Sequence, residues 1–270
     1  MARRRCTFLI PAYNEARRLP ATLAAIAEFS ASRRLRSEII VADDGSTDST
    51  ADVARNFRAR HCRVRVLCLA HRGKGFAIRR GICLARGEII FLCDADLHES
   101  IGEVIRLEAA IRRGADIAIG SRWLNHLDCV RAQPLYRCIS SRLFNLLTGG
   151  ILGLPFKDTQ CGLKALTRQA AAQVFPLLRL DGWGYDSELI HVALALNLRV
   201  EEVGLRLVHE YRDSHFRPVA DGWATFLELF KIRRNDIQGA YGRRGPGTIT
   251  TLQSVAPSSL PASTAHEDAA

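Results

Sequence analysis

The sequence predicts an α/β fold, a mostly parallel sheet with helices on both faces. Over the first 125 residues, short β-type runs alternate with longer stretches of helical periodicity. The β-type runs are almost continuously apolar, as strands covered on both faces are. The polar clusters of the chain fall at the carboxyl ends of those runs, which is where open α/β sheets bind their ligands.

Strands are expected at Thr7–Ile10, Glu38–Ala42, Val64–Leu69, Glu88–Cys93 and Ile117–Gly120. Helices are expected between them at Glu15–Ser32, Ser49–Arg60, Gly75–Arg86 and Ile101–Arg113. Residues 134–156 follow as an unusually apolar helix, then a turn and strand within Asp158–Arg168 and a helix at Ala170–Leu178. A further helix (186–196) and a strand (Arg199–Val208) complete the α/β pattern. Between Asp221 and Tyr241, Trp223, Phe226, Leu227, Phe230 and Ile237 recur at helical spacing among Lys231, Arg233 and Arg234. After Gly242 the composition shifts to Gly, Pro, Ser, Thr and Ala, so one domain over 1–242 and a disordered tail over 243–270 are expected.

With 270 residues, 47% hydrophobic and 24% charged, the chain has enough material for a sizeable core. Its net charge of +10 and pI near 9.6 favour anionic partners: nucleic acid, lipid headgroups or phosphorylated small molecules. No basic stretch is interleaved with aromatics and no zinc or recognition-helix signature occurs, so nucleic acid is not expected as a partner. The eight cysteines form no C-x-x-C pair and no zinc-ligand spacing, and several sit in apolar runs, which points to a reducing cytosol. Neither a signal peptide nor a spanning helix is expected, because Cys6–Pro11 is short and Leu143–Phe156 is broken by Asn145, Thr148 and three glycines.

Three clusters carry the chemistry. Pro11-Ala12-Tyr13-Asn14-Glu15 ends the first strand, and Asp43-Asp44-Gly45-Ser46 ends the second. Capping of the next helix accounts for Ser46 to Ser49 but not for two adjacent acids at a sheet edge. Asp94-Ala95-Asp96 ends the fourth strand. Residues two apart in an extended segment face the same way, so Asp94 and Asp96 can converge on one cation. Hard carboxylate oxygens suit Mg²⁺ or Mn²⁺, which keep waters and bridge substrate phosphates. Cations surround these clusters: His71, Arg72 and Lys74 with Gly73 and Gly75, then Arg122, Arg131 and Arg137. The spacing matches neither a Walker A loop nor a dinucleotide fingerprint.

Taken in order, PAYNE at 11–15, DDGS at 43–46, GKG at 73–75, DAD at 94–96 and GSR at 120–122 resemble the family 2 glycosyltransferases of Rossmann-like GT-A fold. The resemblance runs through at least residue 217. Asp158–Lys164 (DTQCGLK) and Gly184–Leu189 (GYDSEL) narrow it to the polyprenyl- and dolichyl-phosphate sugar synthases, nearest the dolichyl-phosphate β-glucosyltransferase branch. The resemblance implies a nucleotide-sugar pocket of Pro11, Ala12, Tyr13, Glu15, Asp43, Asp44, Lys74, Asp94, Ala95 and Asp96. It also implies a metal on Asp94 and Asp96, and a lipid phosphate received by Arg122, Arg137 and Ser141. The chain departs from the family twice. His98, itself a candidate metal ligand, stands where Gln is usual. In the late loop, Glu210–His215 replaces a Gly-Ser-Lys signature, with Arg212 or Arg217 to compensate.

A metal-dependent hexosyl transfer from a UDP-glucose- or GDP-mannose-type donor is therefore expected, with the catalytic set Asp94, Asp96, Arg122, Asp158 and Asp186. An ionised lipid phosphate needs cations and no general base, and the arginines near 122–142 suit it. A hydroxyl acceptor would need a base, for which Asp158 and Asp186 are the candidates. The other reading left open is a catalytically degenerate binding or scaffold relative; a nucleotidyltransferase would need a glycine- and arginine-rich loop where Pro11–Glu15 stands. The helices near 134–156 and 221–241 suit an interface with anionic headgroups or a membrane-embedded partner, or else a core or dimer surface. Peripheral attachment to the cytosolic face of a membrane is the expected location.

Overall fold

The structure is a computed structural model, and it describes residues 5–59, 62–124, 135–206 and 220–242. The expected tail over 243–270 and the late loop with Arg212 and Arg217 lie outside the described residues. Seven strands form one sheet: β1 (Arg5–Ala12), β2 (Arg36–Asp43), β3 (Cys62–Cys68), β4 (Ile89–Leu92), β5 (Ile117–Ser121), β6 (Lys164–Thr167) and β7 (Val200–Gly204). The order across the sheet is β3-β2-β1-β4-β6-β5-β7. All neighbours pair in parallel except β6, which runs antiparallel to both β4 and β5. The expected mostly parallel α/β fold is the one observed.

The helices are α1 (Leu19–Ser32), α2 (Thr50–Asn56), α3 (Lys74–Ile82), α4 (Val104–Arg112), α5 (Leu135–Leu152), α6 (Arg168–Val174), α7 (Tyr185–Ala195) and α8 (Ala220–Ile237). Strand periodicity divides the core in two. Phe8, Ile10, Ile39, Val41 and Phe91 bury one face with α1 and α4, while Leu9, Ile40, Ile90 and Leu92 bury the other with α3, α6 and α7. Two boundaries differ from the periodicity. The first helix starts at Leu19, not Glu15, because Asn14 takes a left-handed φ of 54° and residues 14–16 are tied to the next loop. The fourth begins with a 3-10 turn over His98–Glu103.

The antiparallel β6 matters for function. Lys164, its first residue, lies opposite Leu92 of β4 and Ile119 of β5. A strand that starts where its neighbours end delivers the preceding loop, Asp158–Leu163, to the same sheet edge as Asp94 and Arg122.

Candidate active site

The first two clusters interlock. Asn14 Oδ1 accepts from the backbone N of Thr47 at 2.8 Å, and the Asn14 backbone N donates to Ser46 Oγ at 2.9 Å. Ser46 Oγ in turn donates to Asp43, whose backbone sits in register with Ala12. Pro11, Ala12, Tyr13 and Asp43 thus share one sheet edge, with the Tyr13 ring stacked 4.1 Å from His71. Asp44 is held differently. It is buried, and its two carboxylate oxygens accept from the backbone N of Arg72 at 3.0 Å and of Gly73 at 2.8 Å. Its carboxylate therefore anchors the loop before Lys74. That loop approaches the 181–182 backbone so closely, with Gly73 at φ 124°, that no side chain fits there. Glu15 is gripped by Arg18, which also reaches Asp96 Oδ2 at 3.4 Å.

Lys74 is not placed as a lone nucleotide contact. Its Nζ lies 2.6 Å from Asp94 Oδ1 and 4.0 Å from Asp186 Oδ2, under the faces of Trp183 and Tyr185. Burial works against its charge, but Asp94 and Asp186 outweigh it and raise its affinity for the proton. On the far side of Asp186 sits Lys164, fully buried and paired with Asp186 Oδ1 while donating to the Cys161 carbonyl. The result is a chain of alternating charge: Asp94, Lys74, Asp186, Lys164. Gly162 lies hard against the Asp94 carboxylate, where a Cβ would overlap it.

Arg122 leaves β5 and meets Asp158 through Nε at 2.7 Å and a second nitrogen at 3.0 Å. The Arg122 backbone N donates to the same carboxylate at 3.1 Å. Burial raises the pKa of Asp158, but the guanidinium overcomes it and holds the carboxyl below its usual range. Glu202 of β7 fixes the loop by accepting from the backbone N of Lys157 and of Asp158. Ser141 of α5 comes within 3.5 Å of Arg122. Arg137 lies on the same helix, but its side chain is outside the described residues.

Asp158 and Asp186, the two candidate bases, are thus each clamped by a cation, the partly buried Arg122 and the buried Lys164. His98 heads the 3-10 turn, where its Nδ1 is buried without a hydrogen-bond partner among the described residues and its Nε2 lies 4.0 Å from Glu99. Among the described residues it joins Asp94 and Asp96 in no three-ligand metal cluster. The two aspartates alone suit Mg²⁺ or Mn²⁺, ions that complete their shell with waters and phosphate oxygens. The residues that periodicity and spacing left unassigned are Arg18, Lys164, Asp181, Glu202 and Trp183. Asp181 accepts from Arg72 at 2.6 Å and also holds Arg79.

The family model for glycosyl transferase family 2 matches residues 7–175, a span that contains Asp43, Lys74, Asp94, Arg122, Asp158 and Lys164 and leaves out Asp181, Trp183, Tyr185, Asp186 and Glu202. The chain belongs to glycosyl transferase family 2. It is 35% identical over 247 residues to a dolichyl-phosphate beta-glucosyltransferase of Drosophila melanogaster, covering 86% of this chain and 76% of that one. To the human dolichyl-phosphate beta-glucosyltransferase it is 31% identical with the same coverage. Among solved structures it resembles glucosyl-3-phosphoglycerate synthase from Mycobacterium tuberculosis, in complex with Mn²⁺, UDP-glucose and phosphoglyceric acid. That match has a TM-score of 0.64 at 19% identity and covers 90% of this chain and 82% of that one. Mannosyl-3-phosphoglycerate synthase from Rubrobacter xylanophilus matches with TM-score 0.64 at 19% identity, covering 96% of this chain and 79% of that one. These likenesses support the GT-A fold, and this family 2 member is a glycosyltransferase.

Proposed function

We propose that the chain transfers glucose from a UDP-glucose-type donor to a polyprenyl or dolichyl phosphate, with inversion at the anomeric carbon. The observation that carries the acceptor is the pairing of Arg122 with Asp158 beside Ser141, at the sheet edge that also carries Asp94 and Asp96. Asp158 fixes the plane of the guanidinium, and a fixed guanidinium receives a phosphate with little loss of side-chain freedom. Both acids that could serve a hydroxyl acceptor as base are instead paired with cations, and a lipid phosphate, already ionised, needs none.

In the reaction a phosphate oxygen of the lipid bonds to the sugar's anomeric carbon as that carbon's bond to the nucleotide diphosphate breaks. The leaving diphosphate departs with the bonding pair. A Mg²⁺ or Mn²⁺ held by Asp94 and Asp96 would neutralise that leaving charge. Lys74 adds a fixed positive charge at Asp94, and Tyr13 with Asp43 would seat the base and ribose. The relatives' names support glucose and the lipid phosphate, and the solved neighbour's UDP-glucose and Mn²⁺ support the donor and metal.

The lipid requires a route to the bilayer. Among the described residues no helix is long and apolar enough to cross a membrane. Instead α5 exposes Leu143, Leu146 and Leu147, and α8, packed against it, exposes Trp223, Leu227, Phe230 and Ile237. With Lys231, Arg233 and Arg234 on α8, this face suits an interfacial location on the cytosolic side.

The test is incubation with Mg²⁺ or Mn²⁺, short polyprenyl phosphates and a panel of nucleotide sugars. Release of UDP from UDP-glucose only when lipid phosphate is present is the expected outcome. Release with hydroxyl acceptors alone would overturn the acceptor.

A further inference from the structure

Beside Arg122 the structure carries a groove of about 580 Å³, a size typical of small-molecule sites, whose lining includes Trp123, Arg142, Asn145, Leu146, Gly150 and Lys157. Two features of this lining call for an occupant. Asn145 is buried and spends its Oδ1 on the backbone N and hydroxyl of Thr159, both at 3.0 Å, which fixes the amide orientation and leaves Nδ2 without a partner among the described residues. Trp123 Nε1 is likewise buried and, among the described residues, unpartnered. Two orphaned donors along one groove are a feature native proteins seldom keep without use, because a buried donor that is never satisfied is destabilising.

The charges agree. The Arg142 guanidinium lies 4.8 Å from the Trp123 ring and that of Arg122 lies 6.0 Å from it, so two cations neighbour the indole. Lys157 adds a third. The other end is apolar and open: a Cβ at Gly150 would meet nothing within 4 Å, and Leu146, 72% exposed, carries the lining out to the α5 surface.

We propose that this groove holds the acceptor lipid next to its phosphate. Its first isoprene units lie along Gly150 and Leu146, and its phosphate and ester oxygens, held by Arg122, are also met by Trp123 Nε1, Asn145 Nδ2 and Arg142. The inference rests on Arg122 and Ser141 receiving the phosphate, and it adds specificity for the chain that phosphate carries. Trp123, Arg142, Asn145 and Gly150 become acceptor-binding residues.

The test is steady-state kinetics with UDP-glucose and farnesyl phosphate for the wild type, Gly150→Leu, Gly150→Ala and Trp123→Phe. Gly150→Leu fills open space on a helix, so its melting temperature stays at or above that of the wild type. Its KM for farnesyl phosphate is expected to rise tenfold or more, about 1.4 kcal/mol, with KM for UDP-glucose unchanged. Gly150→Ala falls between the two. Trp123→Phe keeps a ring and loses the donor, raising the lipid KM roughly three- to tenfold. Inorganic phosphate should compete far more weakly than farnesyl phosphate. Transfer by the wild type with an unaltered lipid KM in all three variants, or equal competition by inorganic phosphate, would overturn the groove while leaving the reaction standing. Failure of the wild type to glucosylate any lipid phosphate would overturn the reaction itself and the groove with it.

Discussion

Lys74 Nζ lies 2.6 Å from Asp94 Oδ1, so an internal cation already sits against the first acid of the D-x-D pair. A metal bound by Asp94 must share that carboxylate with Lys74, and the two positive charges compete for it. Lys74→Met is therefore expected to bind Mn²⁺ more tightly. Its turnover should nonetheless fall roughly 10²–10³-fold, as when one preorganised charge facing the developing anion is removed. Metal-dependence curves of initial rate check both directions at once. A lowered apparent metal affinity would mean that Lys74 assembles the metal site instead of competing with it.

Gly162 marks the tightest approach in the site, since any Cβ there would overlap the Asp94 carboxylate. Gly162→Ala must push Asp94 aside by about an ångström, a displacement that costs on the order of 10²-fold in rate. The backbone there is not left-handed, so the fold should persist. Normal circular dichroism with full activity would show that Asp94 is not held where the reaction needs it.

The buried pair Lys164–Asp186 makes a separate prediction about stability. Lys164→Met strands a buried carboxylate and should cost about 3–5 kcal/mol, whereas the double variant Lys164→Met/Asp186→Leu should recover most of that. The double variant should remain inactive, because Asp186 also lies within reach of Lys74, at 4.0 Å. Denaturant melts beside transfer assays separate these outcomes. Restored activity in the double variant would reduce the pair to a structural role.

How much of this was legible in the sequence depends on sheet direction. The clusters ending β1, β2, β4 and β5 were readable because parallel strands all end at one edge, and local apolar runs reveal those ends. The Asp158–Lys164 segment was quoted for its resemblance, but its junction with Asp94 depends on β6 running antiparallel, which no local pattern encodes. Asp44 read as a ligand because two acids at a sheet edge look alike in sequence. The backbone amides of Arg72 and Gly73 show that Asp44 also anchors the next loop. The stacking of Arg142 on Trp123 is not legible in sequence because it spans a strand end and a helix.

Asp158 also fixes a pH dependence. Arg122 depresses its folded-state pKa below the ordinary carboxylate value of about 3.9. Its contribution is therefore fully present above that ordinary value, and it is lost as pH falls from there through the depressed folded value. Asp158→Asn should destabilise the protein by about 3–5 kcal/mol at neutral pH, since Arg122 loses its counter-charge. The gap between wild type and variant should close only below about pH 4. Thermal melts of both proteins from pH 3 to 8 read this directly. A gap that closes near pH 6 would assign the effect to another group.

The exposed stripe on α8 gives the last expectation. Trp223 and Phe230 are 63% and 50% exposed, seven residues apart on one side of a helix whose other side buries Leu229 and Ile232. Such a stripe gains nothing in water and about 1.5–3 kcal/mol per side chain when buried in a bilayer interface. Trp223→Ser/Phe230→Ser should leave folding stability within about 0.5 kcal/mol per site, because neither side chain packs in the core. Its binding to vesicles containing anionic lipid should fall about tenfold or more, while turnover of short acceptors in detergent stays at the wild-type level. Co-sedimentation with vesicles measures the first and UDP release the second. Wild-type vesicle binding by the double variant would move the membrane contact off α8. A parallel loss of detergent turnover would instead make the stripe part of the site.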